Sequence, residues 1–224
     1  MIAPARVTIE IFSDVMCPWC VIGYKQLEQA LGTLAGEIEA EVRWQPFELN
    51  PDMPPEGEDA ASHIARKYGR PPDPAMRGRM EAMAAQAGYD MRYLGGGEEP
   101  ESRLWNTFLA HKLLRWALTA HGAAAQTRLK LALFDAHFQQ RRNVGEAEVL
   151  LDLAAAAGLD RAAAEAALAD EALGDDVHEA EYLAREMDIN AVPTMLIDRK
   201  YLIPGAQQPE TYARLLRKVV ERSG

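Results

Sequence analysis

The sequence predicts an α/β fold whose sheet-forming half is split by a long all-helical segment. Three observations carry this. Strand patterns occur only near the two ends of the chain, at Val7–Phe12 and Glu41–Leu49 and then at Thr194–Ile197 and Tyr201–Ile203. Between Asn50 and Asn190 no strand is convincing, and a structureless loop of that length is foreign to a compact domain, so the segment reads as helices. The two cysteines of the chain sit together in a strand–turn–helix unit at the front, Cys17-Pro18-Trp19-Cys20.

Val7-Thr8-Ile9-Glu10-Ile11-Phe12 reads as the first strand, Ser13 to Met16 as a turn, and Val21 to Leu34 as a helix. Glu41-Val42-Arg43-Trp44-Gln45 alternates as a strand does, and Pro46 confines it to an edge or an ending. In the insert, helices are expected over Ala60–Tyr68, Pro74–Ala87, Ser102–His121, Ala124–Arg141, Glu146–Ala157, Arg161–Leu168 and Asp175–Met187. The alanine runs 154–157 and 162–167 are packing surfaces. Asp198-Arg199-Lys200 turns a hairpin between the two late strands. A last helix, Pro209–Arg222, shows an apolar stripe of Tyr212, Leu215, Leu216, Val219 and Val220. The order is βαβ, helical insert, ββα, which is a thioredoxin-like fold interrupted in its middle. The expected division is residues 1–50 with 190–224 as the thioredoxin-like unit and 51–189 as the inserted helical one.

Composition narrows the function. Apolar residues make up 48% of the 224. A net charge of −10 argues against nucleic acid and against anionic membrane surfaces. No stretch approaches the ~20 apolar residues of a membrane span. Met1 to Arg6 shows no apolar signal core, so a cytoplasmic location is expected. In a reducing cytosol a lone CxxC is catalytic or redox-sensing more often than structural.

The spacing suits thiol–disulfide chemistry. The reactive species is the thiolate, and a helix start favours negative charge, which lowers the pKa expected for Cys17. Pro18 is tolerated in the first turn because its missing N–H would be unpaired there. Cys20 lies one turn further on and points inward. Cys17 is therefore expected to form the mixed disulfide and Cys20 to resolve it, with Trp19 shaping the rim. Zinc would need about four ligands. Two cysteines and five histidines without a nearby pair at ligand spacing do not supply them, so no metal and no bound cofactor is expected. Two inert buried cysteines are the remaining alternative.

Asn190-Ala191-Val192-Pro193-Thr194 places a proline at a strand entrance. One reading is a trans proline opening the strand. The other is a cis Val192–Pro193 bond, which leaves the Val192 backbone free to pair with an extended substrate. The CxxC and the interrupted element order favour the second. Asp14 either steadies the turn or accepts a proton near Cys17, the turn role being preferred, and Glu10 is a weaker candidate for a proton relay. Asn106 is a candidate substrate contact, and Trp105 and His111 read as packing residues. Met76, Met80 and Met83 read as a core stripe.

The chain resembles the DsbA-like thioredoxin-fold oxidoreductases, most closely the FrnE-like branch. The resemblance rests on Ile11 to Gly23 around the CxxC and on Trp44-Gln45-Pro46-Phe47-Glu48-Leu49-Asn50-Pro51. It extends to Asn106-Thr107, Ala110-His111-Lys112-Leu113, Ala191-Val192-Pro193-Thr194, Tyr201 and Pro204-Gly205-Ala206-Gln207. It implies a helical insert capping the dithiol, a cis Pro193, and disulfide exchange with protein or small-molecule thiols, glutathione among them. The similar 2-hydroxychromene-2-carboxylate isomerases carry a serine at the first cysteine position and bind glutathione. Their glutathione-dependent chemistry is one alternative, and a non-catalytic chaperone-like binding protein is another.

Overall fold

The computed structural model describes residues 3–223. The front unit is β1 (Ala5–Ser13), α1 (Pro18–Thr33) and β2 (Ile38–Pro46). The chain then runs through β3 (Glu58–Asp59), α2 (Ala60–Tyr68), α3 (Pro74–Gln86), β4 (Arg103–Leu104), α4 (Phe108–His121), α5 (Ala123–Phe138), α6 (Ala147–Ala156), α7 (Arg161–Ala169) and α8 (Glu171–Glu186). It closes with β5 (Thr194–Ile197), β6 (Tyr201–Pro204) and α9 (Pro209–Ser223).

The main sheet has the order β2-β1-β5-β6. β1 and β2 run parallel, while β5 is antiparallel to both β1 and β6. Register positions the site. Ser13 pairs with Pro46, and Phe12 pairs with Thr194. The turn that leaves β1 and the proline that enters β5 therefore emerge at the same end of the sheet, although 175 residues separate Cys17 from Val192.

Two cores meet at that end. The first joins Ile9, Ile11, Cys17, Cys20 and Leu27 to Tyr212 and Leu216 of α9, and takes Phe134 and Phe138 from the insert. The second is built from α4 to α7, with Leu113, Leu129, Leu133, Leu150 and Ala154 buried, and it holds Val15 and Met16 of the turn before the dithiol. The insert is thus packed through the active-site turn rather than appended to it. Apolar burial of this kind stabilises by about 25 cal/mol for each Å² removed from water.

Three expectations change. β2 lies three residues earlier than the alternation suggested. Ile38 is buried and pairs with Ala5, whereas Glu48 and Leu49 leave the ladder because their N–H groups go to Glu181 and Asp14. The helix expected from Ser102 begins only at Phe108. Arg103–Leu104 pairs instead with Glu58–Asp59, and the Phe108 N–H donates to the Asn106 side chain. Those two-residue strands also correct the expectation of an insert without strands. They are too short to leave a period in the sequence.

The open edge of β2 is closed by one side chain. Gln126 of α5 accepts the Trp44 N–H through Oε1 at 2.8 Å and donates through Nε2 to the Trp44 carbonyl at 2.8 Å and the Leu114 carbonyl at 3.2 Å. It does for Trp44 what a neighbouring strand would do.

Candidate active site

Cys17 is the N-cap of α1, in extended conformation, with Pro18 in the first helical turn. Its N–H donates to the Asp14 carbonyl, and the Cys20 N–H donates to the Cys17 carbonyl at 3.1 Å. Asp14 is fully buried, and its carboxylate organises the turn. Oδ1 accepts the Met16 N–H at 3.1 Å, and Oδ2 accepts the Leu49 N–H at 2.7 Å. This is the turn role read from the sequence. Burial raises the Asp14 pKa against the lowering by those bonds.

Both cysteines carry free thiols and both are buried, Cys17 at 3% exposure and Cys20 at 0%. Trp19 between them is 38% exposed and stands at the rim. The Val192–Pro193 bond is cis. The Cys17 thiol faces the Val192 carbonyl, Sγ to O at 3.8 Å. Gly23 permits this approach, because a Cβ there would stand 3.0 Å from Cγ of Pro193 and 3.2 Å from Cβ of Ala206. The Pro193 carbonyl accepts the Gly205 N–H at 2.8 Å, which ties the proline loop to the end of β6.

The thiols titrate as a pair. The close Cys20 sulfur and burial together hold the Cys17 proton well above the ordinary thiol range. Burial also works against a Cys20 thiolate. The neighbouring Cys17 thiol, the Lys130 charge and the Ser13 hydroxyl outweigh it and bring Cys20 down. The first proton is therefore lost easily and the second with difficulty. The expectation that the helix start alone would lower Cys17 is corrected: in the reduced pair the charge rests toward Cys20.

Three groups around Asp14 and the dithiol escape a linear reading. Lys130 of α5 is fully buried, its Nζ donates to the Ser13 carbonyl at 3.3 Å, and it lies 5.2 and 5.0 Å from the rings of Trp44 and Phe134. Burial brings its pKa down to about 8, against the raising effect of Cys20, Asp14 and Cys17. Its signal was a lysine on the buried face of α5, four residues after Gln126. The other two are Glu48 and Glu181. An oxygen of Glu181 accepts the Glu48 N–H at 2.7 Å. Burial first, then Glu181 and Asp14, pushes the Glu48 carboxyl up to about 8.

Other candidates lie differently. Asn106 donates to the Met53 carbonyl at 3.1 Å and accepts from Phe108, so its amide braces the approach to α4. Glu10 accepts from Gln45 at 2.7 Å. It points to the face opposite Ile9 and Ile11, which pack with the cysteines, and so is not beneath the dithiol. His111 is buried with Nε2 lacking a partner. Met80 and Met83 pack on the first core, while Met76 is exposed. Among the described residues, no three or more His, Cys, Asp or Glu gather as a metal would require.

A dithiol at a helix start, facing a cis-proline at the end of a β2-β1-β5-β6 sheet, defines a thioredoxin-fold protein with a helical insertion. The chain belongs to the family of the DSBA-like thioredoxin domain, whose model matches residues 8–217. It is similar to the probable DsbA oxidoreductase SCO1869 of Streptomyces coelicolor. The identity is 30% with a TM-score of 0.80, over 95% of this chain and 89% of that one. It is 29% identical to the uncharacterized protein YwbO of Bacillus subtilis (strain 168) over 212 residues, 94% of this chain and 96% of that one. The cytosolic disulfide reductase DsbM of Pseudomonas aeruginosa shares the fold at 20% identity. Its TM-score is 0.65, over 96% and 98% of the two chains, and it has also been solved with GSH.

Proposed function

We propose that this protein is a thiol–disulfide oxidoreductase working through Cys17 and Cys20. The observation that carries the reading is the buried thiol pair at the start of α1, one helical turn apart, with the Cys17 thiol on the Val192 carbonyl. Cys17 is the outer thiol and takes the mixed disulfide. Cys20, fully enclosed, attacks Sγ of Cys17 to form the intramolecular disulfide. The substrate sulfur leaves with the electron pair and takes a proton from solvent.

Pro18 and Trp19 border the position of the substrate sulfur, and the Val192 backbone with Pro193 lies across from it. Substrates are disulfides or thiols of extended peptide segments or small molecules. Glutathione is a co-substrate rather than a resident group, a reading that DsbM solved with GSH supports. No helix among the described residues is long and apolar enough to cross a membrane. The cytosolic location in DsbM's name supports a cytoplasmic enzyme. Residues 51–189 serve as the cap, carrying the second core against Val15 and Met16.

The test is insulin reduction and refolding of reduced ribonuclease. Cys17→Ser abolishes both, and Cys20→Ser accumulates a mixed disulfide at Cys17. Full activity in Cys17→Ser overturns the proposal. Turnover without net electron transfer would mark an isomerase, and aggregation suppression that survives loss of both thiols would mark a chaperone.

A further inference from the structure

We propose that Lys130, contributed by the helical insertion, is the positioning cation of the dithiol: it sets how readily Cys20 gives up its proton and thereby the balance between dithiol and disulfide. This rests on the exchange reading above and deepens it.

A buried ammonium needs close compensation, since desolvating it costs several kcal/mol. Lys130 has 0% exposure, yet its hydrogen bond goes to a neutral carbonyl, that of Ser13, and two aromatic faces cover it. The charges that face it are those of the active site. Cys20 comes from α1, Cys17 is its N-cap, and Asp14 comes from the turn before it. Both Asp14 carboxylate oxygens already accept backbone N–H groups. From α4, His111 is held neutral by burial first and by the Lys130 charge second. Arg115, also on α4, is paired to Asp176 at 2.6 and 2.9 Å. Cys20 is the foremost of the negative groups that compensate Lys130, ahead of the Asp14 carboxylate and Cys17.

The chemical consequence balances as follows. In the mixed disulfide with glutathione, the Cys20 thiolate attacks Sγ of Cys17. The Cys17–Cys20 bond forms and the Cys17–glutathione bond breaks. The electron pair leaves on the glutathione sulfur, which is protonated from solvent. Over the full cycle the dithiol loses two electrons and oxidised glutathione becomes two reduced molecules. Lys130 loses the charge it faced once the disulfide forms. It therefore favours the reduced pair and makes the disulfide the stronger oxidant.

The experiment follows thiolate absorbance at 240 nm against pH, and the equilibrium with glutathione, in wild type, Lys130→Met, Lys130→Gln and Lys130→Arg. In both neutral variants the thiolate midpoint moves up, and the equilibrium shifts about tenfold toward the disulfide, ~30 mV. Lys130→Arg keeps the wild-type profile. A purely structural lysine would change melting without moving either readout. Wild-type values in folded Lys130→Met or Lys130→Gln overturn the inference. Should neither variant fold, the wild-type Lys130 amine is titrated by nitrogen NMR in both redox states. A higher midpoint in the reduced form is expected by reciprocity, and equal midpoints overturn the proposal. A wild-type pair that never equilibrates with glutathione overturns the exchange reading itself, whereas an active pair indifferent to Lys130 removes only this inference.

Discussion

Gln126→Leu isolates the link between the insert and the sheet. Gln126 is fully buried and makes three hydrogen bonds, two to Trp44 and one to Leu114. Leucine keeps the volume but leaves the Trp44 N–H and carbonyl enclosed without partners on that side. An orphaned buried polar group costs about 1–3 kcal/mol, and the N–H is the more expensive of the two because it has no second way to bond. The Leu114 carbonyl loses a bond additional to its place in α4 and adds little. Greater apolar burial returns roughly 1 kcal/mol. The net destabilisation expected is about 2–4 kcal/mol. For a chain of this size each kcal/mol lowers Tm by about 2–4 °C, so melting should fall by roughly 5–15 °C in differential scanning calorimetry. Gln126→Glu keeps the acceptor for the Trp44 N–H and should lie between the two. A Gln126→Leu melting point within about 1 °C of wild type would refute the argument that this side chain stands in for a strand.

Two further outcomes follow from the same geometry. Gly23→Ala puts a methyl 3.0 Å from Cγ of Pro193. The helix gains about 1 kcal/mol of propensity from alanine, so melting should change little. The proline loop is displaced from Cys17, and stopped-flow exchange rates should drop several-fold; unchanged rates would mean that the close approach is not used. Glu48 tests the pH dependence. Its folded pKa is raised from 4.5 to about 8, so the folded state holds its proton more tightly than the unfolded chain. The stability tied to that proton is fully present below the unfolded value of 4.5 and is lost as pH rises from there through 8. Glu48→Gln should melt like wild type at pH 4 and above it at pH 9, and parallel pH profiles would contradict this.

The reach of the sequence depended on where each signal lay. The Cys17–Cys20 motif, its strand–turn–helix setting, and Pro193 at the entrance to β5 were readable because each is local and chemically distinctive. The helix start at Pro209 follows from its first-turn proline and apolar stripe, and Ala60–Tyr68 keeps its expected bounds with Asp59, accepting the Ser62 N–H, as its N-cap. What stayed hidden is non-local. Glu48 and Glu181 lie 133 residues apart and meet only when α8 packs beside β2. Lys130 of α5 carries no local mark of its own in the sequence, and only the fold sets its ammonium on the Ser13 carbonyl beside Trp44 and Phe134. β3 and β4 exist only as partners of each other. Asn106 looked exposed to substrate, yet its amide is spent on the backbone of Met53 and Phe108.

The central claim is that Cys17 and Cys20 form one exchanging redox centre. The most direct measurement is equilibration of the wild-type protein across graded ratios of reduced to oxidised glutathione, followed by acid quench, thiol labelling and mass spectrometry. The account predicts a single two-electron transition, in which each molecule is either a Cys17–Cys20 disulfide or a free dithiol and glutathionylated protein stays a minor species. Two thiols that remain labelled at every ratio, or a stable glutathione adduct in place of the internal disulfide, would contradict it.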